Sequence, residues 1–443
     1  MKPHLFRTSV VLATLLAACQ GEPSSPSEST ALPARGGIPG PPSGILLPPQ
    51  AGLPPGLPVP PGKGPPTFLA DWVSIGVGSG VTCALRSDGK AFCWGANSVG
   101  ELGDGSTTGS STPVPVAGGH TFVQLAVGDI ASCGLEASGM AYCWGSNDRG
   151  QLGAGLPMSS SSFASTPVAV AGGIRFQSLS TGLRTTCGDG TDGVTYCWGA
   201  NDLGQLGNGL RGVNSNVPVA VQNSAALGLR KVRAGFFASC AQDGAAALFC
   251  WGQRFAFGNG PISVSPFFAL SPELAASGML FTAVSVGTAQ ACGLDAAGVA
   301  RCWGVANAAG NIGDGSTTLR DVPTMVTGGL TFRSIDANSG NNIAPHTCAV
   351  AVDDAAWCWG NNTFGQLGAT STSTCTFGAG FNCSLVPVRV TGGIRFASVT
   401  VGTVHTCGVA LDGTAYCWGR NFSGQLGDGT TTDRTSPVAV RDP

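Results

Sequence analysis

The sequence predicts an all-β fold, a seven-bladed β-propeller of four-stranded antiparallel blades. Three observations support it. The tripeptide Cys-Trp-Gly occurs seven times, starting at Cys93, Cys143, Cys197, Cys250, Cys302, Cys358 and Cys417. In every copy a second cysteine lies ten residues upstream: Cys83, Cys133, Cys187, Cys240, Cys292, Cys348 and Cys407. The seven motif tryptophans recur every 50–59 residues, the size of a propeller blade rather than of a separate domain.

Each unit reads the same way in order. An alternating segment ending in glycine comes first, such as Val73-Ser74-Ile75-Gly76-Val77-Gly78, and a period of two is a strand signal. Cys83-Ala84-Leu85, a turn at Ser87-Asp88-Gly89 and Ala91-Phe92-Cys93-Trp94 follow. Asp-Gly between short apolar runs marks a hairpin. Next come an Asn and a Gly-x-Leu-Gly turn, as in Gly150-Gln151-Leu152-Gly153, a variable loop, and a Pro-Val strand such as Pro167–Val170. A blade cannot bury both faces alone, so its neighbours must stack on it, and the motif Trp is expected between blades. The Pro-Val strand appears a last time at Pro437–Val440, while the first unit has no clear one of its own, since Leu57-Pro58-Val59-Pro60 lies farther from Trp72 than the spacing in other units. The sequence therefore predicts that the C-terminal strand completes the first blade and closes the ring.

Cys83 and Cys93 are equidistant from Asp88. If Arg86 and Lys90 pair by hydrogen bonds, alternation makes the cysteines a non-hydrogen-bonded pair about 4.5 Å apart, close enough to bridge. Seven intrablade disulfides are expected. Cys375 and Cys383, in an insertion, supply an eighth. Isolated pairs with nine residues between them are not metal knuckles, and mature histidines are few (His120, His346 and His405), so no metal and no cofactor is expected.

The first nineteen residues have the layout of an export signal: Lys2, His4 and Arg7, then an apolar run from Val10 to Ala18. That run is short of the about 20 residues that span a bilayer. It ends Leu16-Ala17-Ala18-Cys19, which resembles the lipobox of bacterial lipoproteins; the resemblance implies cleavage before Cys19 and acylation of its thiol. Residues 20–67 are rich in Ser, then Pro and Gly, and read as a tether in which polyproline II is favoured. The propeller is expected over 68–443. The expected location is the bacterial cell envelope, through a lipid anchor, with outer-membrane placement suggested by Gln20 after the lipobox.

A formal charge of −2 offers no basic field, which argues against nucleic acid as partner. No nucleophile elbow, P-loop, zinc helix or dinucleotide fingerprint occurs. Asp-Gly-Ser-Thr-Thr after Gly103 and after Gly313 reads as turn chemistry, since one carboxylate is far short of the six to eight oxygens that calcium takes.

Trp198-Gly199-Ala200-Asn201-Asp202-Leu203-Gly204-Gln205-Leu206-Gly207, and its counterpart from Trp418 to Gly427, resemble the repeat of the regulator of chromosome condensation family. The resemblance runs through residues 68–443. It weakens in the fourth unit, where Gln253-Arg254-Phe255-Ala256-Phe257-Gly258 replaces the Asn and Gly-Gln-Leu-Gly. His346 and His405 match the family's frequent His-Thr, for which a structural role is expected. The resemblance implies the propeller. Its members differ in function: nucleotide exchange on a small GTPase, light sensing through clustered surface tryptophans, and inhibition of secreted β-lactamases. An exported lipoprotein does not meet a nuclear GTPase, and only Trp72 and Trp357 lie outside the motif.

Function is then sought in the loops that vary most, 154–166, 208–216 and 369–385, which a repeat projects from one side of the ring. They carry Phe163, Asn214, Phe377 and Phe381 as candidate binding residues, in a composition suited to adaptable contact. The expectation is a monomeric binding scaffold for a protein or polysaccharide, with an envelope enzyme or enzyme inhibitor as the alternative. Non-reducing mass spectrometry of the mature protein should find no free thiol beyond an acylated Cys19; two or more free thiols would remove the disulfide framework.

Overall fold

The structure is a computed structural model that describes residues 71–260, 267–337, 344–370, 373–375 and 380–443. Cys19, the 20–67 tether and Phe377 lie outside the described residues. Seven antiparallel sheets form the seven blades, six with four strands and one with five. Blade 1 shows the plan: an inner strand Trp72–Val77, a hairpin Val81–Arg86 and Ala91–Gly95, and an outer strand Ser110–Pro115. The extra strand, Ser373–Cys375, lies on the outer strand Phe381–Arg389 of blade 6. Among the described residues, helix is confined to one α-turn, Ser224–Leu227, and three short 3₁₀ turns.

The hairpin forms as its sequence dictates. Arg86 and Lys90 close the turn through a 3.0 Å N–H to O=C bond, with Gly89 at φ 79°. The register then sets Cys83 opposite Cys93, and the same holds in every blade. All seven pairs are bridged, with Cα atoms 4.0–4.1 Å apart, slightly closer than the spacing expected from the ladder alone. Cys375–Cys383 is the eighth bridge, at 5.9 Å between Cα atoms.

Ring closure differs from the expectation. The C-terminal strand Arg434–Ala439 pairs with Ala415–Gly419 and completes blade 7, not blade 1. The outer strand of blade 1 is Ser110–Pro115, with Val114 opposite Cys93. The reason is local. The turn after each Cys-Trp-Gly doubles back on itself, so the chain returns to the open edge of the hairpin it has just left. The C-terminus still contributes to closure by packing, because Val440 is buried in the core between blades 7 and 1.

Side chains hold that seam and the other six. Successive residues of a strand point to opposite faces, so in Cys93-Trp94 the cysteine enters the core shared with blade 2 and the tryptophan enters the core shared with blade 7. Each of the seven cores repeats this plan. It holds one blade's disulfide and the Leu (or Ile312, or Phe257) of its Gly-x-Leu-Gly turn, together with the next blade's Trp and, in six cores, the aromatic at the start of the next inner strand; between blades 3 and 4, Leu229 and Val232 stand there instead. All seven motif tryptophans are fully buried. The glycine ending each turn has φ between 62° and 79°. A Cβ there would lie 2.6–2.9 Å from the indole of the next blade. Gly427→Ala should therefore lower stability by about 2–4 kcal/mol, from left-handed strain plus overpacking. Gly173→Ala, which has φ 65° but open space around it, should lower it by only about 1 kcal/mol. Scanning calorimetry of the two variants separates the terms.

Candidate functional site

The two ends of the ring differ in kind. One end carries the tight hairpin turns. The other carries the turns between inner and second strands together with the long loops that lead to the outer strand. On this loop end, buried asparagines do the folding. Asn97 Oδ1 accepts the Leu102 N–H at 2.9 Å, while its Nδ2 donates to the Thr108 carbonyl at 3.0 Å. Asn147, Asn201, Asn307, Asn362 and Asn421 accept the equivalent amide. The Gln of the turn reaches back: Gln205 Oε1 accepts Leu203 N–H, and Gln425 Oε1 accepts Ser423 N–H. Six of the loops then lean on the outer strand of the following blade, as Gly105 N–H does on Ser165 O and Gly429 N–H does on Ser111 O. The motif is consumed in building the loops. What they display is whatever lies between its fixed positions.

The Asp-Gly-Ser-Thr-Thr stretches are turns, as expected: Asp104 Oδ1 accepts Ser106 N–H and Asp314 Oδ1 accepts Ser316 N–H. Burial works against the Asp314 carboxylate, yet hydrogen bonds from Arg320 and Ser316 outweigh it and hold the carboxyl below the usual range. Among the described residues, no group of three or more His, Cys, Asp or Glu side chains is placed to hold a metal ion.

The structure treats the four candidate residues differently. Phe163 is exposed at the start of the blade 2 outer strand. Phe381 is half-buried and lines a hollow of about 380 Å³ with Val305, Leu319 and Pro345. Asn214 is engaged internally, its Oδ1 accepting the Asn201 N–H at 3.0 Å. Phe377 lies outside the described residues. Sequence reasoning missed other exposed apolar side chains at this end: Leu156, Met158, Leu210, Val213, Phe267, Leu319 and Phe422. It also missed a stack in which the Arg420 guanidinium sits 4.7 Å from the Phe364 ring centroid and 4.4 Å from that of Phe422. A readable signal existed for this stack. Phe364 and Phe422 occupy the two free positions of Asn-x-x-Gly, which lie inside the loop architecture rather than in its longest insertions. Hollows of about 460 and 280 Å³ flank the stack, one lined by Phe364, the other by Arg420 and Phe422.

Every blade holds the next blade's motif indole through a backbone carbonyl of the turn after Cys-Trp-Gly, and this repeat defines the class of the protein. The chain belongs to the regulator of chromosome condensation (RCC1) repeat family, whose model matches residues 88–135, 138–188, 192–242, 353–409 and 412–443, more than half of the chain. It is 29% identical over 372 residues to the ultraviolet-B receptor UVR8 of Arabidopsis thaliana, covering 83% of this chain and 81% of the receptor. It is 25% identical to the human E3 ubiquitin-protein ligase HERC2 over 63% of this chain, but spans only 5% of that much longer protein. Among solved structures it is similar to yeast RCC1 (Prp20) bound to Kap60, with TM-score 0.68, 19% identity and coverage of 85% and 86%. Human WBSCR16 gives TM-score 0.65 at 18% identity, over 77% and 87%. These last two likenesses concern the fold.

The family's His-Thr dipeptide has a structural use here. His346 and His405 are fully buried. His405 Nε2 lies 2.9 Å from Thr82 Oγ1, whose hydroxyl donates to Gln425 O at 2.8 Å. That orientation makes the imidazole the donor to the threonine oxygen. The same carbonyl accepts Trp94 Nε1–H at 3.0 Å. His346, Thr406, Gln366 and Trp418 repeat the relay one seam earlier. Burial pushes His346 down to about 4, and burial plus the proximity of His346 pushes His405 down to about 3, from an ordinary 6.5. The folded state therefore keeps both rings neutral while an unfolded chain takes up protons. Their contribution is complete above pH 6.5 and is lost as pH falls through about 4 and 3. Each His should cost up to about 1.4 kcal/mol per pH unit inside that window. Denaturant midpoints from neutral to acid pH should fall less steeply in His346→Gln and His405→Gln than in the wild type.

Proposed function

We propose that the chain is a lipid-anchored binding scaffold of the bacterial cell envelope, at the outer membrane, that engages a protein or polysaccharide through the loop end of its propeller. One observation carries this reading: the repeated side chains are used up inside the ring, while the positions free to vary collect exposed apolar groups at one end. Phe422 is 60% exposed, Val213 58%, Leu210 52% and Phe163 43%. Scattered exposed hydrophobics are ordinary on a protein surface, but Phe163, Leu210 and Val213 on the loops of blades 2 and 3 share one end of the ring with the Phe-Arg-Phe stack at the seam of blades 6 and 7, a composition suited to an interaction surface. The relatives lend two further readings by name, ubiquitin ligation and ultraviolet reception. The first belongs to a protein of which this chain spans a small part. The second finds little support in tryptophans that serve as buried seam residues. The export signal and lipobox of residues 1–19 supply the address.

The test uses the full chain with the exposed Leu156, Phe163, Leu210 and Val213 of the loops replaced together by Ser, and separately Phe422→Ala. Crosslinking in envelope preparations should yield a partner with wild type that the loop variant loses while its melting temperature is kept. Phe422→Ala should weaken binding by more than tenfold, the mark of an anchor side chain. A partner retained by the loop variant, or a hydrolytic activity independent of the loops, would overturn the reading.

A further inference from the structure

Six of the seven loops close against the following blade, and a glycine lets them do so. Gly105, Gly155, Gly209, Gly260, Gly315 and Gly429 each stand two residues beyond the glycine that ends the turn, with φ between 73° and 106°. From there each donates its N–H to the next outer strand, to the carbonyls of Ser165, Asn216, Leu270, Asp321, Leu385 and Ser111, at 2.8–3.1 Å. In the blade 6 loop Thr370 holds this place. A β-branched residue is an outlier at positive φ, and Thr370 does not adopt it. Its N–H makes no bond to Thr435 O, the equivalent acceptor. The chain folds back on its own blade instead, where Ser373–Cys375 pairs with the outer strand and Cys375 bridges to Cys383.

The seam between blades 6 and 7 is therefore open at the loop end, as the hollow of about 460 Å³ beside Phe364. That lies within the roughly 300–1,000 Å³ of small-ligand sites. A second departure from the repeat forms part of its wall. Phe364 fills a position held by Val99, Arg149, Leu203, Ala309 and Ser423 in the other intact Asn-x-x-Gly turns. The Arg420 guanidinium lies over its ring and restrains it, so the ring has little freedom left to lose on binding.

The rest of the wall is polar and almost uncharged. Thr363, Thr370, Thr435 and Ser436 bring hydroxyls and Asn382 an amide, all exposed, and none of these side-chain groups is hydrogen-bonded among the described residues. The Thr435 carbonyl, whose equivalents accept the loop amide at six seams, adds an acceptor. Asp433 is the one charged side chain, and its Oδ1 already accepts the Asn421 N–H at 2.7 Å. No cationic side chain lines the hollow to draw an anion, and one ring is a small footing for the apolar side chains of a peptide. Hydroxyls and amides both donate and accept, which suits a ligand whose own groups do the same. A pyranose is such a ligand. Its C–H face meets the negative face of an aromatic ring, while its hydroxyls run round the edge.

We infer that the seam of blades 6 and 7 is a saccharide site. It takes one neutral hexopyranose unit of a polysaccharide, with the sugar face on Phe364 and the hydroxyls on Thr363, Asn382, Asp433, Thr435 and Ser436. The inference rests on the scaffold reading and narrows its ligand to a saccharide.

Isothermal titration calorimetry of the full chain with maltohexaose, chitohexaose and hexagalacturonate tests it. At least one of the two neutral probes should bind at one site. Hexagalacturonate, which brings carboxylates against Asp433, should bind at least tenfold more weakly. Phe364→Ala should weaken the neutral probe at least tenfold, equivalent to about 1.4 kcal/mol. The double variant Thr435→Ala and Ser436→Ala should weaken it severalfold with its melting temperature kept, because both side chains are exposed. Absence of binding by both neutral probes at millimolar concentration, tighter binding of hexagalacturonate, or wild-type affinity in the double variant would overturn the proposal. If Phe364→Ala fails to fold, the double variant decides it. A crosslinked protein partner, found while neither neutral probe binds, leaves the scaffold reading standing and overturns the saccharide site.

Discussion

The bond from each motif indole N–H to one backbone carbonyl of the preceding blade is the constraint on which the ring depends. It is made seven times at 2.9–3.0 Å, to Gln425, Glu101, Gln151, Gln205, Ala256, Asn311 and Gln366. Packing supplies most of the energy. A buried Trp removes about 150–250 Å² from water, worth about 4–6 kcal/mol by area, against about 0.5–1.5 kcal/mol net for a hydrogen bond. The bond fixes geometry instead. It sets how far the indole slides over the neighbouring turn, and that position is what excludes any residue but glycine at the end of the turn. Where the turn is occupied by other residues, in the fourth unit, the acceptor survives because it belongs to the backbone: Ala256 O takes the place of the Gln carbonyl. Side-chain identity at that position can drift without breaking the seam.

How far the sequence could be read follows from this division of labour. The hairpin, its register and the cysteine pairs were legible because turn chemistry, period-two alternation and spacing are all local. The Trp was legible as a seam residue because a blade cannot bury two faces alone. The closure was not, since periodicity gives the length of a unit but not its frame. Val114 and Val438 sit in equivalent strands, and nothing in their sequences says which hairpin each one edges. What decides it is the doubled-back loop, whose compactness comes from the two-ended bonding of Asn97 and Asn421, a three-dimensional fact.

The candidate surface was legible in outline and less so in detail. The long variable loops do share one end of the ring, as a repeat requires. Composition could not tell Phe163, which faces solvent, from Asn214, which the backbone of Asn201 claims. The stack of Phe364, Arg420 and Phe422 joins two blades across a seam; the free positions of Asn-x-x-Gly mark the two phenylalanines as displayed, but only the fold makes residues so far apart in sequence neighbours.

That every blade is contiguous in sequence has a consequence for the molecule as a whole. Among the described residues no strand crosses from one blade to another, so the seam between blades 7 and 1 is made of the same indole, carbonyl and disulfide parts as the six others. The ring is thus a one-dimensional lattice bent into a circle. Its stability is a sum over seven nearly interchangeable bonds between neighbours, with no privileged clasp. Opening any one seam leaves a linear stack of intact blades that still meet through the other six. Each disulfide lies within a blade, so covalent cross-linking secures the links and leaves every joint between them free to part and re-form.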